Sequence, residues 1–208
     1  MRYSILLTTL ISCFSYSSYG QDTITYLTGK TKIVVVNDAS ASYVFYQKIK
    51  GDISKLGKQK LVSADDVFEI KYVSTAKHEK KSSMIYKVDS LNGDYFSVAE
   101  MRHFIHGKQQ AKKKYKAFKY AFVGFFVGAG GALFSPLIGA IPATGYTYLA
   151  SSWVIPAFMH SDNDNSFNNL HFNAGYRESA RRKNAINAAL GSATGLIITA
   201  TLLQLFSS

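Results

Sequence analysis

The sequence predicts an α+β protein: a small antiparallel β-sheet or partly open barrel, then a long helix, then a helical membrane part. Three observations predict this class. Short alternating β-branched and aromatic segments fill residues 21–96. A basic, helix-favouring stretch follows at residues 97–119. Two runs without Asp, Glu, Lys or Arg then occupy residues 120–161 and 184–208. Each run exceeds the roughly 20 apolar residues that span a bilayer, so we expect two firm transmembrane helices, with room for a third.

The positive charge of the chain indicates which partners it has. The sequence holds 24 Lys and Arg against 13 Asp and Glu, a formal charge of +11. A basic residue near a membrane surface is worth about 1 kcal/mol of attraction to anionic lipid headgroups. Nucleic acid is the competing interpretation of a basic chain, but no nucleic-acid-binding motif accompanies the charge. We therefore expect membrane lipid as a partner and no nucleic acid.

Residues 1–20 have the pattern of a secretory signal peptide. A positive start, an apolar stretch at residues 5–14 and small residues before Gln21 favour cleavage ahead of Gln21. A rival interpretation is a lipoprotein, because residues 10–13 match a lipobox that would leave a lipidated Cys13. Cleavage there would leave an unusually short leader, so we favour simple cleavage. The mature chain would then have no cysteine, hence no disulfide and no thiol nucleophile.

Residues 21–96 are expected to form a small β-rich domain. Strands are predicted at residues 23–27, 32–36, 43–46, 67–73 and 84–88, because each segment is β-branched, aromatic or alternating. Residues 49–60 are polar and contain a glycine, so a loop is predicted there. A bare sheet of this size is marginal, and its apolar face needs a cover.

The helix at residues 97–119 is the expected cover. Ser97 is a predicted N-cap, and Glu100 three positions later completes a capping box. Met101, Phe104 and Ile105 form one apolar stripe on this helix. No breaker separates residues 97–119 from the apolar run, so one long helix is predicted to leave the β-domain and enter the membrane.

Pairs of glycines four residues apart mark both membrane helices. Gly124 and Gly128 lie in the first, and Gly191 and Gly195 in the second. Small residues at this spacing allow close approach of helices in lipid, so these four glycines are assigned to helix packing. Breakers at residues 135–136, 139, 142 and 145 are predicted to interrupt the first apolar run. Residues 162–183 are predicted to be a polar loop with a basic flank.

A basic cluster precedes each membrane helix. The residues assigned to lipid headgroups are Lys112, Lys113, Lys114, Arg181, Arg182 and Lys183. A two-span hairpin with an exported β-domain puts the second cluster inside and the first outside, satisfying half of the positive-inside rule. A three-span layout with a cytoplasmic β-domain puts both clusters inside but ignores the signal peptide. We favour export, with the β-domain in the periplasm and the helices in the inner membrane.

Candidate chemistry is sparse. Glu100, His103 and His106 are three apart on a predicted helix, a spacing that can present metal ligands, but a fourth ligand is missing. The favoured interpretation is a capping carboxylate and two surface histidines. The sequence has no G-x-S-x-G elbow, Walker A loop or dinucleotide fingerprint. We therefore expect no enzyme activity, no cofactor and no metal.

Two stretches carry a resemblance. MRHFIHGKQQAKKKYK (residues 101–116) and GFFVGAGGALFSP (residues 124–136) resemble a group of uncharacterised exported bacterial membrane proteins. These have a small β-rich domain, an MRxFIxGxQxA helix and glycine-rich transmembrane helices. Residues 63–72 are similar to their β-domains. The resemblance implies export and membrane residence, and it transfers no functional residue.

Together these features predict a non-catalytic, membrane-anchored envelope protein whose β-domain binds a protein or peptide partner. An open sheet edge is the expected binding surface. The alternative is a small oligomeric channel or transport accessory built by self-association of the glycine-spaced helices.

Overall fold

The computed structural model describes residues 21–50, 52–73, 82–88, 95–152 and 169–207. The chain forms two compact units, Met1–Lys87 and Val88–Ser208. The first contains an antiparallel sheet, and the described residues of the second form helices, which confirms the α+β class. The predicted leader at residues 1–20, with Cys13, lies outside the described residues.

The sheet has six strands in the order β4-β3-β2-β1-β5-β6, and all neighbouring strands are antiparallel. The strands are β1 (Asp22–Tyr26), β2 (Thr31–Ala39), β3 (Tyr43–Lys50), β4 (Asp52–Ser63), β5 (Val67–Lys71) and β6 (Ser82–Met84). Gly29 adopts φ 73° in the turn between β1 and β2, a left-handed conformation that favours glycine.

The hydrophobic core of this unit lies on one face of the sheet. Ile24, Val34, Val44 and Ile70 are fully buried there. Asp22 is buried beside them, and its two carboxylate oxygens accept hydrogen bonds from the backbone N–H groups of Val36 (3.0 Å) and Val73 (3.2 Å). The carboxylate therefore ties the central strand β1 to segments on both of its sides.

Two strand predictions were wrong. Residues 49–60, predicted as a loop, belong largely to β4, whose residues pair with β3 through Tyr46↔Lys60 and Gln47↔Gln59. An edge strand takes its hydrogen bonds from the backbone of its partner and tolerates polar side chains, including lysines that discourage edge-to-edge pairing. The final strand is Ser82–Met84 and not residues 84–88.

The helical unit contains α1 (Val98–Lys114), α2 (Phe118–Phe134), α3 (Pro136–Ser152) and α4 (Leu170–Ser207). The predicted capping box is confirmed at α1. The Ser97 hydroxyl accepts from the Glu100 backbone N–H at 3.4 Å, and the Glu100 carboxylate accepts from the Ser97 backbone N–H at 2.8 Å. The pair satisfies two backbone donors that have no partner within the helix.

Loss of this cap gives a first testable expectation. Ser97→Ala should destabilise the helical unit by about 1 kcal/mol, the usual cost of losing an N-cap side chain. The backbone hydrogen bond from Ser97 lowers the pKa of Glu100, with a smaller effect from His171. The contribution of Glu100 is therefore present at neutral pH and lost as the pH falls through its lowered pKa. Thermal unfolding against pH measures both effects, and a Glu100→Gln protein that kept the wild-type acid limb would contradict the linkage.

The predicted continuous helix from residue 97 into the membrane was wrong. α1 ends at Lys114, α2 begins at Phe118, and the two axes differ by 66°. The sequence has no proline or glycine at this break. Its cause is a set of contacts from α4, described below.

α2 and α3 form a tight antiparallel hairpin around Ser135. Pro136 is the first residue of α3, where its missing N–H costs nothing. The other predicted breakers, Gly139, Pro142 and Gly145, lie inside the helix, so those interruptions were wrong. A Cβ at Gly131 would lie 2.7 Å from the Cα of Gly139, which shows how closely the two helices approach.

α4 begins at Leu170, so the predicted polar loop at residues 162–183 is helical over its described second half. Asn169 caps this helix, because its side-chain oxygen accepts from the backbone N–H groups of His171 and Phe172. Of the helices described, Leu170–Phe206 is the one long and apolar enough to cross a bilayer by itself. The α1–α2 pair would count as a second crossing only if both helices formed one bent span. A second firm transmembrane helix, as predicted, is therefore not shown.

Candidate functional site

α1 and α2 lie successively along α4 and run in the same direction as α4. Gly175 of α4 packs against the backbone of Phe104 in α1, and Gly191 and Gly195 pack against the backbones of Ala121 and Phe125 in α2. Residue numbers on the two sides of this contact rise together. Because α3 runs antiparallel to α2 and returns the chain, α2 and α4 are parallel neighbours and do not form a two-helix hairpin.

The four glycines predicted for helix packing all lie at the contact between α2 and α4. A Cβ at Gly124 would lie 2.6 Å from the backbone oxygen of Ala188, and one at Gly128 would overlap the backbone oxygen of Ser192. The sequence analysis missed two further glycines of this kind, Gly107 and Gly175, which hold α1 against α4. All of these contacts are made within one chain.

The helices α2, α3 and α4 have an inside-out distribution of side chains, in which small residues are buried and large apolar residues are exposed. Small residues such as Ala132, Ala150 and Ala188 are buried between the helices. Large apolar residues face outward, with Phe134 and Leu137 both 85% exposed. Further exposed members of this surface are Phe122, Val123, Phe126, Leu133, Ile138, Ile141, Leu149, Leu190, Ile197 and Leu205. An apolar surface of this extent is rare on soluble proteins and typical of a membrane or protein contact.

Lys183 of α4 explains the break between α1 and α2. Its ammonium donates to the backbone oxygens of Ala111 (3.1 Å), Lys112 (2.8 Å) and Tyr115 (2.9 Å). The last carbonyls of a helix have no partner within the helix and carry partial negative charge, so a cation is favourable there. The assignment of Lys183 to lipid headgroups was therefore wrong, because its donors are used inside the protein.

A second contact fixes the same point. The Tyr115 hydroxyl donates to the side-chain oxygen of Asn184 at 2.8 Å, and both residues are buried. Burial raises the pKa of Tyr115 to about 12, so this phenol stays neutral at physiological pH. Lys183 and Asn184 together hold the start of the apolar part of α4 level with the α1–α2 break.

Exposed basic residues near the α1–α2 break and in the facing turns of α4 form one band, which we call the cationic collar. Its exposed members are Lys112, Lys113, Lys114, Lys116, Lys119, Arg177, Arg181 and Arg182. The nearby carboxylate of Glu178 is paired with Lys108, with a nitrogen–oxygen distance of 2.9 Å. The collar combines both predicted clusters, because parallel packing places the end of α1 beside the matching turn of α4.

The structure does not bring Glu100, His103 and His106 together as metal ligands. Glu100 pairs with His171 of α4 at 3.2 Å, the ring of His106 contacts Phe172, and His103 is exposed. Across the described ranges, no group of three or more His, Cys, Asp or Glu is arranged to hold a metal ion. The pairing of Glu100 with His171 joins residues 71 positions apart in the chain, and local spacing gave no signal for it.

The sheet unit has a polar cluster at one end of its core. The Lys32 ammonium donates to the hydroxyls of Tyr26 and Tyr46, each at 3.1 Å. Although burial acts to raise it, the hydrogen bond from Lys32 holds the pKa of Tyr46 below its usual value. All three residues are at least partly buried, so the cluster completes the core.

The opposite face of the sheet unit exposes apolar side chains. Leu61 is 53% exposed and Tyr43 lies near it, while Ile33 is 61% exposed on the same face towards the other end of β2 and β3. Phe45 is paired with Leu61 across β3 and β4. We call this surface the outer sheet face.

Comparisons of the chain with protein-family models, with characterised proteins and with solved structures found no match.

Proposed function

We propose that the chain is a non-catalytic, membrane-anchored envelope protein whose sheet unit binds a protein or peptide partner. The inside-out side-chain distribution of α2, α3 and α4 carries the membrane part of this proposal. Burying small side chains and exposing large apolar ones stabilises a helical unit in lipid, where close backbone packing replaces the hydrophobic effect. In water the same surface would be left unburied at considerable cost.

The outer sheet face supports the binding part of the proposal. Tyr43 and Leu61 form an exposed apolar area on β3 and β4, with Ile33 exposed farther along the same face, and such areas commonly mark protein contacts. Among the strands that the structure describes, β4 pairs with β3 alone. An extended peptide added to β4 would meet Lys58 and Lys60, so an acidic segment fits this edge best.

The proposed location is the inner membrane, with the sheet unit in the periplasm. The signal-like pattern of residues 1–20 supports export, and the first hydrophobic segment usually dominates orientation. The collar would then lie against the periplasmic leaflet, on the same side as the sheet unit. The positive-inside rule taken alone favours the opposite orientation. The experiment below therefore also tests on which side of the inner membrane the sheet unit lies.

Single reporter cysteines test location and binding together. Cys13→Ala removes the one native thiol. In that background, Leu61→Cys places a thiol on the outer sheet face, and Lys30→Cys places one on the exposed β1–β2 turn. We expect both purified proteins to react with an impermeant maleimide. In cells with a permeabilised outer membrane, the Lys30 position should react and the Leu61 position should be protected several-fold by the bound partner.

Two outcomes would contradict this function. Equal labelling of both positions in cells would mean that no partner covers the outer sheet face. Labelling of the Lys30 position only after the inner membrane is breached would place the sheet unit in the cytoplasm.

The alternative function, an oligomeric channel or transport accessory, has one supporting observation. A groove of about 340 Å³ between α3 and α4 is lined by small residues, including Ala140, Ala143, Ala189 and Ala193. A helix of a second copy could pack there. The four glycines on which this alternative depended are engaged within the chain, and the groove is apolar, so the anchored binding protein has the stronger support.

A further inference from the structure

We propose that the cationic collar is a binding surface for anionic phospholipid headgroups of a single leaflet, from which both α2 and α4 enter the bilayer. This inference rests on the proposed membrane anchoring and deepens it. It names the lipid class that the protein selects and the leaflet surface at which both helices begin.

The common direction of α2 and α4 is the first step. In a two-helix hairpin, the basic cluster before each helix would lie at opposite surfaces of the bilayer. Here Gly191 and Gly195 pack against Ala121 and Phe125 in parallel register, and Lys183 reaches the carbonyls at the end of α1. Both clusters therefore share one level and must meet the same leaflet.

The position of the collar relative to the apolar surface is the second step. The runs without charged residues begin at Tyr120 in α2 and at Asn184 in α4, directly after the basic residues of each segment. The hydrogen bond between Tyr115 and Asn184 fixes these two starting points side by side. At 1.5 Å per residue, the 17 residues of α2 extend about 26 Å, close to the roughly 30 Å of a hydrocarbon core. The cations of the collar, directly before the two charge-free runs, therefore lie at the level of the lipid headgroups.

The charge of the collar is the third step. Eight exposed cations lie in the band, and the adjacent Glu178 is already neutralised by Lys108. Arg177, Arg181 and Arg182 offer planar donor pairs that suit phosphate oxygens, and the lysines supply compact charge. A headgroup that contacts one or two of these residues should be favoured over a zwitterionic one by about five- to thirtyfold, at about 1 kcal/mol per cation.

A direct test compares the lipids that the protein retains. The full chain is reconstituted in nanodiscs of equal phosphatidylglycerol and phosphatidylcholine, released into mild detergent, and its bound lipids are counted by native mass spectrometry. The collar variant carries Lys113→Gln, Lys116→Gln, Arg181→Gln and Arg182→Gln. A matched control carries Lys30→Gln, Lys48→Gln, Lys58→Gln and Lys60→Gln, which removes the same charge from exposed positions of the sheet unit.

We expect the wild type and the sheet control to retain phosphatidylglycerol about tenfold over phosphatidylcholine, and the collar variant to retain both nearly equally. If the fourfold variant fails to fold in detergent, the Lys113→Gln, Arg182→Gln double variant should show a ratio between these values. Equal lipid retention by the wild type, or equal loss of selectivity in both charge variants, would overturn the proposal. A wild type without lipid selectivity that instead retains a short DNA duplex would identify the collar as a nucleic-acid surface.

Alkaline carbonate extraction separates this inference from the proposed anchoring. If the wild type and the collar variant both stay in the membrane while their lipid ratios are equal, the collar proposal fails and anchoring stands. If carbonate releases the wild type, the proposed anchoring itself fails.

Discussion

Gly128→Leu is expected to disrupt the packing of the helical unit. A Cβ at Gly128 would overlap the backbone oxygen of Ser192, and further leucine atoms would deepen the clash. The obstacle is a helix backbone, so no side-chain rotation relieves it, and α2 and α4 must separate. In lipid the lost van der Waals contact has no hydrophobic compensation. We expect a loss of about 3 kcal/mol or more, at the upper end of overpacking effects.

Gly130 provides a matched control in the same helix. A Cβ at Gly130 would meet no atom within 4 Å, so Gly130→Leu adds the same apolar side chain to the open surface of α2. Thermal unfolding of both variants in the same detergent gives the comparison. We expect a large fall in Tm for Gly128→Leu and little change for Gly130→Leu. Similar Tm values for the two variants would contradict the close α2–α4 contact.

Local sequence signals predicted the local parts of the fold. The capping box at Ser97 and Glu100 is complete within four residues, so its chemistry could be read directly. Four strands, β1, β2, β3 and β5, were located by their own β-branched and aromatic residues. β4 was missed because its hydrogen bonds come from β3, and its polar side chains carry no strand pattern. The start of α4 did have a signal, since Asn169 is a good N-cap residue ahead of the helix.

The collar and the break between α1 and α2 depend on contacts distant in sequence. The four glycines are recognisable from their spacing, but the spacing does not say which helix each one meets or in which direction. That direction decides whether Lys113 and Arg181 lie near one surface or at opposite surfaces. The break likewise has no proline or glycine, because its partner groups are Lys183 and Asn184, far along the chain.

Lys183→Met is expected to destabilise the helical unit at that break. The methionine keeps much of the apolar stem but removes the donors to the backbone oxygens of Ala111, Lys112 and Tyr115. Hydrogen bonds from a charged donor contribute about 1.5–3 kcal/mol, and the position is partly open to water, which replaces some of the loss. We expect a net loss of about 2 kcal/mol, seen as a clear fall in Tm in detergent.

Arg182→Met separates the role of these hydrogen bonds from that of net charge. It removes the same charge from the adjacent residue, which is exposed and belongs to the collar. We expect this control to keep the wild-type Tm while losing part of the anionic-lipid selectivity. Hydrogen exchange should localise the defect of Lys183→Met to the last turn of α1 and the first turn of α2. An equal fall in Tm in both variants would mean that collar charge, and not the capping of α1 by Lys183, stabilises the break.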